Sequence, residues 1–281
     1  MTYLKYLFWG TLICSYPLNI HGATSYAKME FVRIPAGIFT MGSQSPKLVQ
    51  LSAFSLGKTE VTQAQWKAVM GYNPSETKGN NLPVENVSWE DAMIFCKKLT
   101  ERERNAGRLP RNLMFTLPTE AQWEYACRAG TKTRFCFGDS DALLPQYGNF
   151  KDKSYVTQGY VQHAIKEGIM KIDKKRSWNW NDGFAHTAPV GSFRPNAWGL
   201  YDMHGNVFEW CLDYYNKHLP GGKDPVSDNP GDGANEKVVR GGFWGADPED
   251  CQSACRRHVE SPDTRLSIIG FRVAIVQSSN P

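Results

Sequence analysis

Apolar residues fall into short runs along the chain, and their spacing changes character partway through. In Met29–Ser43 (M-E-F-V-R-I-P-A-G-I-F-T-M-G-S) brief apolar runs flank Pro35-Ala36-Gly37, which predicts two strands joined by a tight turn. Val49–Leu56 predicts a further strand. Three helices follow, each with a start signal. Thr62 and Gln65 form a capping box, in which each side chain satisfies a backbone N–H that the helix start leaves unpaired. Trp66, Val69 and Met70 then recur at helical spacing, and Gly71 ends the run. Ser88 and Asp91 open a second helix, with a carboxylate at the positive end of its dipole and an apolar stripe of Ala92, Phe95, Cys96 and Leu99. Its charged continuation, Glu101–Arg108, is expected to be a solvated end. Thr119 and Gln122 repeat the box for a third helix, which buries Trp123, Ala126 and Cys127 and stops at Gly130. Beyond Gly130 the helical period is lost, and short apolar stretches alternate with Gly, Asn and Asp up to residue 274. Helices followed by irregular β structure predict an α+β fold with much loop. Long irregular segments need something to hold them, such as disulfides or bound cations.

The remaining composition agrees. A chain of 281 residues with 41% hydrophobic content fits one large domain, and nine Trp, 25 Gly and 16 Pro suit a loop-rich one. A net charge of +4, from 32 basic and 28 acidic residues, is too mild for a nucleic-acid partner. The one basic cluster, Lys174-Lys175-Arg176, reads as a solvated loop. At the N-terminus Lys5 precedes an apolar run, Tyr6–Ile13, too short to anchor in a bilayer, and Ser25-Tyr26-Ala27 offers the small residues that a signal peptidase reads. The expectation is a signal peptide over 1–27, a domain over 28–276 and a frayed tail over 277–281. The product would be an exported monomer, periplasmic or secreted, without stable membrane insertion after cleavage. Export leaves Cys96, Cys127, Cys136, Cys211, Cys251 and Cys255 in an oxidising compartment, where some should pair. Spacing alone leaves the pairing open. The absence of a C-x-x-C motif tells against a zinc ribbon or thioredoxin-type site.

Candidate chemistry is sparse. Asp202-x-x-Gly205-x-Val207-x-Glu209 sets two carboxylates across a Gly-containing turn, and Asn149-Phe150 with Asp182-Gly183-Phe184 offers a second set of short oxygen ligands. Calcium takes six to eight such oxygens, mixing carboxylates with carbonyls, although ordinary Asx turns have the same spacing. The histidines are scattered, no Gly-rich phosphate loop follows a strand, and no G-x-S-x-G elbow is present. Cys251 and Cys255, in D-P-E-D-C-Q-S-A-C-R-R-H, are the reactive candidates. Arg256, Arg257 and His258 favour a thiolate there, while Glu249 and Asp250 oppose it.

Seven ordered stretches together resemble one family. They are I-P-A-G-I-F-T-M-G-S (34–43), E-V-T-Q-A-Q-W (60–66), P-V-E-N-V-S-W-E-D-A (83–92), L-P-T-E-A-Q-W-E-Y-A-C-R-A-G (117–130), G-L-Y-D-M-H-G-N-V-F-E-W (199–210), V-V-R-G-G-F-W (238–244) and G-F-R-V-A (270–274). From about Met29 to Ala274 the chain is similar to the formylglycine-generating enzyme, or sulfatase-modifying factor, domain. The resemblance implies a C-type-lectin-like fold with little regular secondary structure. It implies two calcium sites: one from the Asn149 and Asp182 side chains with the Phe150 and Phe184 carbonyls, the other from Asp202 and Glu209 with the Gly205 and Val207 carbonyls. For catalysis it implies a copper ion held by two cysteines five residues apart, which with oxygen converts a sulfatase cysteine to formylglycine. The later cysteine falls on Cys251, the catalytic candidate. The earlier falls on Ala246, and Phe243 stands where the family has serine. Both departures tell against copper and against formylglycine synthesis. The resemblance further implies a Cys127–Cys255 disulfide and an unpaired Cys96, whose family partner falls at Val273. Three functions stay open, one of them formylglycine synthesis on a sulfatase. Another is an oxygen-dependent oxidative maturation factor acting on a peptide, protein or secreted small molecule. The third is a non-catalytic ligand-binding or interaction module on a lectin-like scaffold.

Overall fold

The computed structural model describes residues 27–157, 166, 180–231 and 235–278. The expected signal peptide, save Ala27, the Lys174-Lys175-Arg176 cluster and residues 279–281 lie outside them. Strands β1 (Phe31–Ile34), β2 (Gly37–Met41), β3 (Lys47–Leu51) and β4 (Phe54–Gly57) come first, then α1 (Gln63–Met70) and α2 (Trp89–Asn105). β5 (Leu113–Thr116), α3 (Glu120–Arg128) and a four-residue α4 (Lys153–Val156) follow. The second half is strand and loop: β6 (Phe208–Tyr214), β7 (Gly222–Lys223), β8 (Lys237–Arg240), β9 (Arg257–Val259), β10 (Ile269–Gly270) and β11 (Ala274–Gln277). Three small sheets result, in the orders β1-β4-β11-β5, β10-β6-β8-β9 and β2-β3-β7. Regular structure is low, at 19% helix and 22% strand, as the resemblance implies.

Local chemistry explains most of these boundaries. All three capping boxes form: Thr62, Ser88 and Thr119 each accept from the N3 backbone N–H while Gln65, Asp91 and Gln122 reach back. Gly71 closes α1 at φ +87°. α3 ends one residue earlier than expected, because Ala129 itself takes the left-handed conformation. β1 and β2 do not form a hairpin. β1 pairs antiparallel with β4 and β2 with β3, so the chain changes sheets at Pro35, which has no N–H for a ladder. The single strand expected over Val49–Leu56 is accordingly split. At Ser52 the backbone N–H and the hydroxyl both donate to Asp224, at 2.6 and 2.7 Å. The charged stretch Glu101–Arg108 is not wholly solvated either. Glu103 is buried and accepts from Arg108 Nε at 2.6 Å. Gln277 belongs to β11 and bonds Asn112, so the tail is ordered through that residue.

Two apolar clusters carry the core. Trp66, Phe95 and Phe271 centre the first, with Trp66 stacked on Phe95 at 5.4 Å, between α1, α2 and the strand ends. The second lies beneath α3, where Trp123, Ala126 and Cys127 meet Leu56 and Val238. Loops crossing the ends of β6 and β8 enclose a third, small cluster of Phe135, Leu144, Phe150, Ala246 and Cys251. The candidate site lies in this loop layer.

Candidate functional site

β8 delivers Arg240 into the interior and then turns through Gly241 and Gly242, both at positive φ (+98° and +83°). The second turn residue has to be glycine. A Cβ on Gly242 would stand 2.6 Å from Cys251 Sγ and 3.1 Å from its Cα. Cys251 is therefore wedged against the strand end and fully buried. Ala246, 2% exposed, lies in the same apolar cluster. Ala246 and Cys251, the two positions that the resemblance assigns to copper, thus share one apolar cluster. Burial pushes the Cys251 thiol well above its ordinary pKa, and the Asp250 carboxylate adds to the shift. Two soft thiolates are what Cu(I) requires, and this cluster supplies at most one, so the residues do not fit the ion. His204 Nδ1 lies 2.8 Å from the Cys251 carbonyl, while its Nε2 accepts from Cys136 N at 3.2 Å, which fixes the proton on Nδ1.

All six described cysteines are free, which corrects the implied Cys127–Cys255 disulfide. Cys127 Sγ faces Ser253 Oγ at 3.5 Å and the Met203 carbonyl at 3.7 Å. Ser253, not Cys255, occupies the facing position, and a hydroxyl offers no sulfur to bridge. Cys255 turns instead towards Asp250, Sγ to Oδ1 3.9 Å, and lines an open cavity of about 550 Å³ with Lys47, Tyr215, Lys217, His218 and Arg256. Cys96 is an unpaired core thiol next to Val273 in the first cluster, as the resemblance implies.

The oxygen donors converge on two places. At the first, Phe150 N donates to Asp182 Oδ2 (3.2 Å) and Phe184 N to Asp182 Oδ1 (2.8 Å), so the two halves of the predicted set meet. Asn149 Nδ2 is held by the His186 carbonyl (2.8 Å) and Asn206 Oδ1 (3.2 Å), while its Oδ1 is buried without a hydrogen-bond partner. Burial, with the neighbouring Asp152 charge, holds the Asp182 carboxyl up at about 7. At the second, Glu209 accepts from Arg272 Nε (2.6 Å) and Nη2 (2.7 Å) and from Trp123 Nε1 (2.8 Å). Asp202 Oδ2 accepts from Gly191 N at 2.6 Å, and its Oδ1 is unpartnered. Glu60, fully buried beside them, accepts from Asn206 Nδ2 through Oε1 at 3.0 Å and leaves Oε2 unpartnered. Asn206 thereby ties the two places together, and a Cβ on Gly205 would strike the Asn149 carbonyl at 2.0 Å.

Among the described residues no three or more His, Cys, Asp and Glu side chains form a ready metal cluster. The predicted sets, however, draw half their ligands from carbonyls and an amide. Three buried acceptor oxygens without partners are costly, about 1–3 kcal/mol each, and they are the donor type that calcium takes. Glu60 and Asp202 lie beside Glu209 with one guanidinium, Arg272, among them, and burial raises both the Glu60 and the Asp202 carboxyl. The residues fit calcium. Sequence reading missed Glu60, Asp152 and Asn206, because no linear spacing links residue 60 to residue 202.

Three small sheets joined by long loops, with two groups of oxygen donors and one sealed apolar cluster, define the scaffold. Comparison with known proteins supplies the family. The Sulfatase-modifying factor enzyme 1-like domain matches residues 20–277, and the chain belongs to that family. It is 33% identical over 217 residues to the chaperone protein LppX of Paenibacillus barcinonensis, covering 66% of this chain and 72% of LppX. To the mouse formylglycine-generating enzyme it is 32% identical over 216 residues, covering 76% of this chain and half of that enzyme's length. Among solved structures, Treponema denticola variable protein 1 superposes with a TM-score of 0.68 at 30% identity, covering 88% of this chain and 94% of that one. No described helix is long and apolar enough to cross a membrane.

Proposed function

We propose that this protein is an exported, calcium-stabilised and non-catalytic binding module on the formylglycine-generating-enzyme scaffold. One observation carries the reading. The residues at the two copper positions, Ala246 and Cys251, are packed out of solvent with Phe135, Leu144 and Phe150, and burial keeps the surviving thiol protonated. A site that can neither form a dithiolate nor present a thiolate has lost the family's redox centre. The relative LppX, which bears the name of a chaperone, supports a protein or peptide partner over a small molecule. The cavity beside Cys255, with its Tyr215 ring and cationic rim, is the surface offered to such a partner. A second reading, oxidative maturation of a peptide or secreted small molecule, is favoured by one feature: Cys255 is a thiol that opens on that cavity.

Cu(I) titration against a chromophoric competitor separates the two readings. The binding module is expected to retain no stoichiometric Cu(I), and Cys251→Ser should behave as the parent does. One equivalent of Cu(I) held by the parent and lost in Cys251→Ser would overturn the proposal.

A further inference from the structure

We propose that Asp152 is a direct ligand of the first cation, in addition to the oxygens of Asn149, Phe150, Asp182 and Phe184, and that it gives this site a second carboxylate. The inference rests on the calcium reading above and deepens it.

Asp152 is fully buried. Its Oδ1 caps α4, accepting from Ser154 N at 2.7 Å and Tyr155 N at 3.3 Å. Its Oδ2 accepts from Asp182 N at 2.5 Å. The Asp182 carboxylate is fixed in turn by the backbone N–H groups of Phe150 and Phe184. Two carboxylates are thus held beside each other by the backbone, Asp152 buried and Asp182 half-buried.

Among the described residues no cation pairs with them. Lys151, the nearest in sequence, pairs with Asp247 at 3.5 Å, and Lys153 is exposed. Among the described residues no Lys, Arg or His is ion-paired with Asp152 or Asp182. Three other buried carboxylates are matched: Glu124 by Arg240 and Arg128, Glu120 by Arg256, Glu209 by Arg272. Two carboxyl groups set side by side without a counter-charge cannot both ionise cheaply, and a cation between them removes that cost.

The third feature is independent of the acids. Asn149 is fully buried, its amide nitrogen is spent on His186 and Asn206, and its oxygen, at the other end of the amide, has no partner. The next backbone N–H along the chain, that of Phe150, bonds Asp182 Oδ2, so the amide and the acids belong to one segment. Asp152 Oδ1 is spent on its two capping bonds, and Oδ2, which accepts one, keeps a lone pair for a cation. One divalent ion bound there would satisfy the amide oxygen and neutralise both carboxylates, and the number of charged ligands is what sets calcium affinity.

The competing role for Asp152 is that of a helix cap and nothing more. Asp152→Ser keeps a capping hydroxyl and removes the carboxylate, and Asp152→Asn keeps volume and an acceptor while removing the charge. Calcium-free full chain is titrated calorimetrically with calcium chloride. The parent is expected to bind two ions. In both variants one site should weaken by about tenfold or more while the other is unchanged. Asp202→Asn should weaken the other site instead. Should Asp152→Ser fail to fold, Asp152→Asn gives the same reading. Two sites of unchanged affinity in a folded Asp152 variant would overturn this inference and leave the calcium reading standing. A parent that binds no calcium would overturn both.

Discussion

Whether a cysteine is useful depends on solvent reach and on how readily its thiolate forms, and here the two diverge between neighbours. Cys251 is sealed under Gly242, whereas Cys255 is half-buried at the cavity wall, with Arg257 partly offsetting the burial and Asp250 that raise its pKa. Native-state alkylation is therefore expected to modify Cys255 well before Cys251, with Cys251 labelled only on unfolding. Equal rates for the two, read by peptide mass spectrometry, would contradict this placement. Glu85 gives a pH test at the same scale. Burial holds its carboxyl up at about 7, above an ordinary value of 4.5. The folded state thus keeps a proton that the unfolded chain gives up. Its contribution to stability is present below 4.5 and is lost as pH rises through about 7. Glu85→Gln stays neutral, retains an acceptor for Glu76 N and Thr77 N, and puts an amide where Oε2 has no partner. Urea midpoints should fall less steeply with pH in Glu85→Gln than in the parent. An unchanged slope would contradict the assignment, since Asp182 and Asp213, also raised to about 7, are intact in both proteins and leave the Glu85 share as the difference.

Elements were legible in the sequence to the extent that their determinants are local. Each capping box and the glycine after α1 lie within a few residues of what they control, so all three helices stand where the pattern puts them. Strand pairing is decided across long separations. Nothing between residues 49 and 56 announces that Asp224 will take the Ser52 N–H and divide one apolar run between two sheets. The site divides in the same way. Cys251 and Ala246 were placed by register with the motif Arg240-Gly241-Gly242, and the structure does pack them together. Glu60 and Asp152 were not found, because their meaning comes only from neighbours more than a hundred and about thirty residues away. The implied disulfide failed on a shift of two positions, from Cys255 to Ser253, that only side-chain direction reveals. The strand-end turn offers the element-scale test. Gly242→Ala would force both a left-handed backbone and a contact with Cys251, and should cost about 3 kcal/mol. Cys251→Ala in the same chain should recover part of that loss. A Gly242→Ala protein as stable as its parent would show that Cys251 is not wedged there.

At the scale of the molecule, loops gather two oxygen-lined places and a sealed apolar cluster beside α3. The buried pairs Arg240–Glu124 and Arg272–Glu209 fix the strands beneath them. In the proposed reading the scaffold keeps the frame of the family's site and lacks one of its two sulfurs. That distinction is open to direct measurement. The protein is incubated with a Cys-x-Pro-x-Arg peptide, Cu(I), a thiol reductant and oxygen, and the peptide mass is followed alongside that of an active formylglycine-generating enzyme. The cysteine is expected to stay unmodified in this protein while the active enzyme converts it to the aldehyde. Catalytic conversion by this chain would contradict a non-catalytic role.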